Sequence, residues 1–499
     1  MEEMQGMRGA SGEAFRLPSL AEMRLAIGFG LFHGWLIAML TYFGVPSFGF
    51  GSALPAGLFL IGGAGGALLG AFVSQRHIRL MFFGRDVLLV LSSCGLFVAV
   101  AVPGVAASAA CCVVGGVLCG LLHCSYGLAT LAFSKASYVR IISLATVVAS
   151  AVALLSLLAG VGSFPIAAQA AVVLALQLLS NLLLKDSLEG RFGGFGAGAS
   201  PPVGAASSSV PTGAGCSGSV GAKDGSTGRF LRLMLAVFLF GIVSRGCDAF
   251  SLSSYTGVLF SSLALFSSHI VAAVLMVVFV GMKTRSRDLS LFYRFALPCA
   301  GAGFVLLALP LASVPASSFF AVFLVGVGYE SINLTAWVLT SYAAKVSAAP
   351  ARYFGLYAAV TYLSMLAGKA LSYSLAPVAG TAAAFVGLVC VVVLVVIAFV
   401  VLPEDQVRLF EGSLRLSDDE RAEGEAFAER CRLFAAAYGL TERETEVMGL
   451  LAKGRTLRVI ADRLTISKGT AGTHISNIYR KTDVHKQQDL IDLFEAFSR

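Results

Sequence analysis

Long apolar runs of about 20 residues, separated by short polar segments, fill most of the first 400 positions. Each run is long enough to cross a bilayer as an α-helix, which satisfies its own backbone hydrogen bonds in hydrocarbon. The pattern predicts twelve membrane spans in two sets of six. The first set is 25–45, 53–74, 87–104, 107–130, 141–162 and 165–184, and the second is 230–249, 257–281, 291–311, 317–342, 353–374 and 380–402.

The polar segments between these runs divide the chain into regions. The predicted regions are an N-terminal tail (1–24), a first membrane half (25–184), a linker (185–229), a second membrane half (230–402), an acidic helical connector (403–439) and a C-terminal domain (440–499). The linker is rich in Gly, Ser, Ala and Pro, which predicts a flexible segment without a core. The tail lacks a small-residue cleavage site, so we expect no cleavable signal peptide.

Basic residues occur in every second loop between the predicted spans. The loops that carry them contain Arg76, Arg79, Arg85, Lys135, Arg140, Lys283, Arg285, Arg287, Lys345 and Arg352. Cytoplasmic loops carry the excess of Lys and Arg in membrane proteins. The sequence therefore predicts a multi-pass protein of the inner membrane with both termini in the cytoplasm.

The connector has a local helix-start signal. Ser417 followed by Glu420 matches a capping box and predicts a helix that begins there and runs to about Tyr438. Acidic residues outnumber basic ones along it. Three interpretations remain open: a solvated spacer helix, a segment that lies against the basic C-terminal domain, and a segment that pairs two chains.

The C-terminal domain has the pattern of several short helices. Segments 442–453, 456–464 and 469–482 show helical spacing, with Gly454 as a stop signal and Ser467 as an N-cap. In the third segment one face is apolar (Ala471, Ile475, Ile478) and another is polar (Thr473, Ser476, Asn477, Arg480). Two short helices joined by a tight turn, the second with a polar outer face, have the geometry that fits a DNA major groove.

Charge agrees with that interpretation. Between Lys453 and Lys486 basic residues far outnumber acidic ones, as expected of a surface that attracts phosphate. The alternative is a small helical bundle with a solvated basic face.

The same residues carry a family resemblance. The run resembles the LuxR-type helix-turn-helix domain through Leu440-Thr441-Glu442-Arg443-Glu444, Leu450-Leu451-Ala452-Lys453-Gly454, Ile460-Ala461, Leu464, Ile466-Ser467, Thr470, His474-Ile475 and Asn477-Ile478-Tyr479-Arg480-Lys481. The resemblance implies a four-helix regulator domain that is dimeric on promoter DNA. It places Thr470 and Lys481 near phosphates, and Gly472, Thr473 and Ser476 towards the groove. Ala471 stands where the family usually has Val, and Gly472 and Ser476 stand where it often has Lys. The candidate DNA-contacting residues are Lys468, Thr470, Gly472, Thr473, His474, Ser476, Asn477, Arg480 and Lys481.

The membrane part resembles the major facilitator architecture, which also has two six-span halves joined by a long cytoplasmic linker. Ser74 stands where the transporters' Gly-x-x-x-Asp-Arg loop has its Asp, which favours sensing over transport. The glycine run Gly62–Gly66 follows no strand, so we expect close helix packing there rather than a phosphate loop.

Few ionisable residues interrupt the spans, and such residues usually face a protein interior or a ligand. The candidate ligand-sensing residues are Arg245, Asp248, Glu330 and Lys369, with His33, Trp35, His123 and His269 as further candidates. For each of them the alternative is a structural ion pair or an interhelical hydrogen bond.

Composition completes the prediction. Hydrophobic residues make up 57% and charged residues 13% of the chain, where soluble domains have about 25% charged residues. The ten cysteines and six histidines show no metal-type spacing, and we expect no metal, no cofactor and no enzymatic activity.

The predicted fold is all-α: a polytopic bundle of twelve helices (6+6) with a C-terminal four-helix LuxR-type domain. The predicted function is a membrane-embedded one-component transcriptional regulator. Its expected partners are double-stranded promoter DNA, the lipid bilayer, RNA polymerase, a second copy on DNA and a small-molecule ligand of unknown identity. Two alternatives stay open: a secondary transporter with a DNA-binding regulatory tail, and an anchored DNA-binding protein whose bundle senses nothing.

Overall fold

The chain folds into two compact units, which we call the membrane unit (Met1–Leu414) and the C-terminal unit (Arg415–Arg499). Every regular element among the described residues is a helix. The computed structural model describes residues 18–42, 54–72, 105–131, 133, 135–161, 175, 179–180, 183, 220–246, 255–281, 289–308, 315–345, 347, 349–375 and 379–497.

The membrane unit consists of long apolar helices. Their bounds are α1 Leu20–Tyr42, α2 Leu54–Phe72, α3 Val105–Thr130, α4 Lys135–Val161, α5 Val220–Gly246, α6 Tyr255–Met276, α7 Leu289–Ala308, α8 Pro315–Lys345, α9 Pro350–Leu375 and α10 Ala379–Val396. Each overlaps one predicted span. Helix α5 begins at Val220, so residues 220–229 of the predicted flexible linker are helical. The predicted span 87–104 lies outside the described residues, and so does almost all of 165–184. Helices α6 and α10 each end in a π-helical turn, at Val277–Gly281 and Ile397–Val401.

Several of these helices are long enough to cross a bilayer. Within the described residues seven meet that requirement by length and composition, and eight do so if the bent pair Phe385–Val401 and Glu404–Phe410 counts as one span. Two shorter apolar helices cover Ala56–Phe72 and Phe292–Ala308. Large apolar side chains on the outside, such as Phe72 and Phe399, are more than 70% exposed, as expected of a surface that faces lipid.

Glycines bring α2 and α3 into close contact. A Cβ added at Gly66 would lie 2.0 Å from the carbonyl oxygen of Val117, and one at Gly116 would lie 2.1 Å from that of Phe59. Side chains at these positions would therefore force the two backbones apart. This confirms the prediction that the glycine run serves close helix packing.

The two halves of the membrane unit contact each other through a few helices. Helix α9 of the second half packs on α2 and α3, and α6 and α8 pack on α4. Helices from both halves, α1, α3 and α4 of the first and α5, α6, α8 and α9 of the second, line a shared cavity.

A long helix, α11 (Glu404–Tyr438), follows the last apolar helix. Contacts just before and just after its start anchor it to α7: the Tyr293 hydroxyl donates to the Leu402 carbonyl at 2.7 Å, and Arg408 Nε donates to Ser290 Oγ at 3.0 Å. Glu404 also pairs with Arg294. The 46° bend before α11 falls at Pro403, which cannot donate a backbone hydrogen bond.

The prediction that this helix begins at Ser417 is wrong, because Ser417 lies inside α11. The physical start is Pro403, followed by two acidic residues in the first turn, Glu404 and Asp405. A capping-box pattern in the middle of a strong helical segment does not interrupt it.

The C-terminal unit has its own hydrophobic core. After α11 come α12 Glu442–Ala452, α13 Leu457–Leu464, α14 Lys468–Thr482 and α15 Gln487–Ala496. The buried side chains that form the core are Cys431, Phe434, Val447, Met448, Leu451, Ile460, Ala461, Ala471, Ile478, Leu490 and Phe494. The end of α11 is therefore part of this fold.

Candidate functional site

A cavity of about 120 Å³ lies inside the membrane unit, between its two halves. Helices α1, α3 and α4 contribute Phe29, His33, His123, Thr146 and Ser150 to its wall. Helices α5, α6, α8 and α9 contribute the other side. A single water needs roughly 10–15 Å³ measured in this way, so the space can hold a small molecule.

One end of the cavity is charged. Glu330 of α8 is 6% exposed, accepts a hydrogen bond from Asn333 Nδ2 at 3.3 Å and lies 3.9 Å from His269 Nε2. Arg245 of α5 stacks on the Tyr329 ring, with 5.4 Å from its guanidinium carbon to the ring centre. A positive and a negative side chain therefore face the same interior space.

The other end is aromatic. Trp337 is the hub of this cluster, with ring-centre distances of 5.2 Å to Phe29, 5.3 Å to His123 and 4.9 Å to Tyr357. His123 also lies 4.9 Å from His33. Within the part of the chain that the structure describes, Trp337 Nε1 and both ring nitrogens of His123 have no hydrogen-bond partner.

The structure brings together some of the predicted membrane residues and not others. Arg245, Glu330, His33, His123 and His269 all line the cavity. Lys369 lies on α9 but does not line it, and Trp35 is buried elsewhere in the core. Asp248 lies outside the described residues.

In the C-terminal unit, end caps fix the position of each short helix. Thr441 and Glu444 form a reciprocal capping box at the start of α12, and Gly454 follows its end with a φ of +71°. Ser467 caps α14 by accepting from the Thr470 backbone N–H at 3.0 Å. The predicted stop at Gly454 and N-cap at Ser467 are therefore confirmed.

Helix α14 has two different faces. Ala471 and Ile478 are fully buried, and Ile475 packs against the same core. On the outside, Lys468, Thr470, Thr473, Ser476 and Arg480 are exposed. Asn477 is half-buried, and its side-chain oxygen accepts from Arg480 Nη2 at 3.2 Å. His474 and Gly472 are also half-buried.

Lys481 occupies a different environment from its neighbour Arg480. Its Nζ donates to Glu444 Oε2 at 2.7 Å and to the Gly439 carbonyl at 2.9 Å. This hydrogen bond and the Thr441 backbone N–H lower the pKa of the Glu444 carboxyl below its ordinary value. Lys481 therefore connects α14 to the start of α12 and the end of α11.

The family comparison agrees with this geometry. Residues 439–494 match the model of the bacterial regulatory proteins of the luxR family. The C-terminal unit contains a LuxR-type helix-turn-helix domain. In helix-turn-helix domains the second helix of the motif lies in the major groove, and α14 occupies that position in this domain.

Two relatives match this chain over short segments. The chain is 46% identical over 65 residues to the uncharacterized response regulatory protein YgeK of Escherichia coli strain K12, which is 12% of this chain and 44% of that protein. It is 38% identical over 52 residues to the monoamine regulon transcriptional regulator of Klebsiella aerogenes, which is 10% of this chain and 23% of that protein. The match thus spans less than half the length of each relative.

The membrane part is similar in fold to a solved transporter. The crystal structure of the major facilitator superfamily transporter FucP in its outward conformation matches with a TM-score of 0.52 and 13% identity, over 79% of this chain and 99% of that one. At this identity the likeness establishes a shared fold. The protein is thus a helical multi-pass membrane protein with a LuxR-type domain.

Sequence patterns did not reveal the aromatic and amide side chains of the cavity. Tyr329, Asn333 and Trp337 lie on one face of α8 with Glu330, at helical spacing. Such spacing in a buried helix is common to any core, so it carried no signal by itself. Recognising it required knowing which face of α8 meets α1 and α3.

Proposed function

We propose that this protein is a one-component transcriptional regulator that senses a small molecule within the membrane and binds promoter DNA through its LuxR-type domain. The observation that carries the proposal is the joint occurrence, in one chain, of a LuxR-type helix α14 with an exposed polar face and a membrane unit with a polar interior cavity. A single chain with both parts needs no separate sensor protein. The proposal assigns no catalytic step to any residue.

On the DNA side, α14 lies in the major groove. Lys468, Thr470 and Arg480 contact phosphates from the two ends of the helix, and Thr473 and Ser476 reach base edges from its exposed middle. The other candidates have supporting roles. Asn477 contacts a base once Arg480 releases its amide oxygen, and Lys481 holds α14 in position through Glu444. His474 lies at the border of the contact surface, and Gly472 lets the backbone of α14 approach the DNA closely.

On the membrane side, the cavity between the halves is the sensing site, with Arg245 and Glu330 as its charged groups. Charged side chains are costly in a membrane interior and usually mark a functional site. Asp248, three residues after Arg245, belongs to the same hypothesis. Lys369 does not line this cavity. It remains a candidate only because it lies on α9, a helix that contributes other residues to the cavity wall.

The expected setting is a bacterial inner membrane with both termini in the cytoplasm, where the LuxR-type domain reaches DNA. Two copies bind one promoter, and contact with RNA polymerase follows from binding beside it. A reporter enzyme fused after Gly215 and another fused after Arg499 should both be active only in the cytoplasm. Periplasmic activity at either position contradicts this topology.

The second candidate is a transporter with a regulatory tail, which the shared fold with FucP favours. Vesicles that contain the protein should take up no labelled solute if the sensor proposal is correct. Ser74, which replaces the acidic residue of the transporters' loop, is the sequence feature against transport.

DNA selection tests the proposal. The purified full-length chain should enrich specific duplexes from fragmented genomic DNA, and binding should weaken steeply as salt increases because phosphate contacts release counterions. Arg480→Ala should weaken binding to all duplexes alike and reduce the salt slope by about one. Arg432→Ala, an exposed arginine on α11, is the matched control and should change neither.

Base contacts make a different prediction. Thr473→Ala should reduce the preference for the selected duplex over a scrambled one by ~1–3 kcal/mol, while affinity for scrambled DNA stays the same. An unchanged preference in Thr473→Ala, together with its loss in Arg480→Ala, shows that the two faces of α14 are assigned wrongly. A failure to enrich any duplex refutes the proposed function.

A further inference from the structure

The two charged side chains of the cavity do not neutralise each other directly. Arg245 and Glu330 both line the cavity, yet the described residues contain no ion pair between them. Arg245 Nε has no hydrogen-bond partner among those residues. Glu330 is buried and Arg245 is half-buried. Charges inside a membrane protein that stay apart are costly, and a ligand with complementary charges offsets that cost for both.

A ligand with one charge satisfies only half of this arrangement. An organic cation would pair with Glu330 but would be repelled by the guanidinium of Arg245. An anion would pair with Arg245 but would be repelled by the carboxylate of Glu330. A molecule with an ammonium and a carboxylate satisfies both groups. The charged end of the cavity therefore fits a zwitterion.

The aromatic end of the cavity indicates which group the uncharged part of the ligand carries. Trp337 lies seven residues after Glu330 on α8, which is about 10 Å along the helix. Around it the rings of Phe29, His123 and Tyr357 have centres within about 5 Å, the separation at which aromatic rings attract one another. A flat ring on the ligand packs against the cavity side of this cluster better than a flexible aliphatic chain does.

We propose that the cavity binds a small aromatic zwitterion of the amino-acid type, with its carboxylate on Arg245, its ammonium on Glu330 and its ring against Trp337. The unpartnered Trp337 Nε1 and His123 nitrogens, both nearly fully buried, provide hydrogen bonds to polar atoms on that ring. The inference rests on the proposed sensing role of the cavity and specifies its ligand class.

The chain provides its own reporter for the test. It contains two tryptophans, Trp35 and Trp337, and Trp337 lines the cavity. In a Trp35→Phe background, the tryptophan fluorescence of the full-length protein in detergent, excited selectively over its tyrosines, comes from Trp337 alone. Five probes separate the parts of the ligand: L-phenylalanine (ring and both charges), phenethylamine (ring and ammonium), 3-phenylpropanoate (ring and carboxylate), benzyl alcohol (ring only) and L-alanine (both charges without the ring).

L-Phenylalanine should change the Trp337 fluorescence saturably. It should bind about thirtyfold or more tightly than phenethylamine or 3-phenylpropanoate, which is the loss expected for one buried charged contact, and also more tightly than benzyl alcohol, which lacks both charges, and L-alanine, which lacks the ring. Arg245→Gln should remove the advantage of L-phenylalanine over phenethylamine. Glu330→Gln should remove its advantage over 3-phenylpropanoate. In this pattern each variant loses its preference over a different probe. A variant that had lost its fold would lose affinity for all probes alike.

Controls identify trivial outcomes. Arg232→Gln changes an exposed arginine on the same helix as Arg245 and should leave all affinities unchanged. Arg245→Lys retains the charge and should recover part of the binding that Arg245→Gln loses. Elution volume and helical circular dichroism establish that each variant is folded.

Three results overturn the ligand class: a saturable response to benzyl alcohol as strong as to L-phenylalanine, equal binding of the singly charged probes and the zwitterion, or no saturable response to any probe. The DNA selection with the same preparation separates this failure from that of the proposed function. Specific DNA binding without any response to the zwitterion rejects the ligand class alone, whereas loss of both rejects the regulator proposal.

Discussion

Lys481 and Glu444 allow a sharp test of how the LuxR-type domain is held together. The Lys481 ammonium group bonds both the Glu444 carboxylate and the Gly439 carbonyl, and its side chain is 29% exposed where that of Glu444 is 6% exposed. Lys481→Met keeps the apolar stem and removes the charge. Glu444 then remains buried with only the Thr441 contacts of its capping box.

The expected loss of stability lies between two limits. Breaking a fully buried ion pair by removing one partner costs ~3–5 kcal/mol, and removing an exposed pair costs ~0–1 kcal/mol. Because water reaches Lys481 but not Glu444, we expect Lys481→Met to lower the free energy of unfolding by about 2 kcal/mol. In a domain of this size that lowers Tm by roughly 10 °C.

Residues 415–499 contain the whole core of this unit and can be studied as a fragment by urea unfolding and circular dichroism. Lys468→Met is the matched control, because Lys468 is an exposed lysine on the first turn of the same helix. It should leave stability within ~0.5 kcal/mol and weaken DNA binding. Lys481→Met should instead lower stability, and it should leave DNA binding unchanged at temperatures where the fragment remains folded.

A double-mutant cycle assigns the effect to the pair. Glu444→Gln keeps an acceptor for the Thr441 N–H but removes the charge, so Lys481→Met should cost clearly less in that background. If Lys481→Met leaves stability unchanged and weakens DNA binding as Lys468→Met does, Lys481 is a phosphate contact and the structural role is refuted.

Three further outcomes can be measured on the same fragment. The folded-state pKa of Glu444 is lowered, so its carboxylate contributes fully to the free energy of unfolding above pH 4.5, its ordinary pKa. That contribution disappears as the pH falls through the lowered pKa. The wild type should therefore lose stability on acidification more steeply than Lys481→Met does. Gly472→Ala should raise the free energy of unfolding by ~0.5–1 kcal/mol, since the added Cβ would meet Leu457 at an ordinary 3.7 Å, and a destabilised variant contradicts this packing. Burial raises the pKa of the Cys431 thiol to about 11, so alkylation at neutral pH should be slow in the folded fragment and fast in urea; equal rates contradict its burial.

Much of α14 could be predicted from local sequence alone. Ser467 as N-cap, the apolar positions Ala471 and Ile478, and the polar positions around Thr473 all depend on spacing within one helix. An amphipathic helix on a small domain has one core to face, so its periodicity determines which side is buried. The same holds for the turn at Gly454, where the backbone conformation favours glycine.

The membrane cavity could be predicted only in part, because all faces of a membrane helix are apolar. Glu330 and Lys369 have the same appearance in sequence, as single ionisable residues within apolar helices. One lines the cavity and the other does not, and the difference depends on how α8 and α9 are rotated about their axes. That rotation is determined by contacts between helices far apart in sequence, such as α9 with α2, whose close approach depends on small residues.

Arg480 and Lys481 show the same limit within the DNA-binding domain. Both are basic, both lie in the last turn of α14, and a basic residue there is favourable for the helix dipole and for DNA alike. Neighbouring residues on a helix point about 100° apart, so one of them faces solvent while the other faces α12. Charge alone cannot separate a phosphate contact from an internal ion pair. The position of Glu444 decides it, because a buried carboxylate in a capping box needs a cation, and Lys481 is the side chain that reaches it.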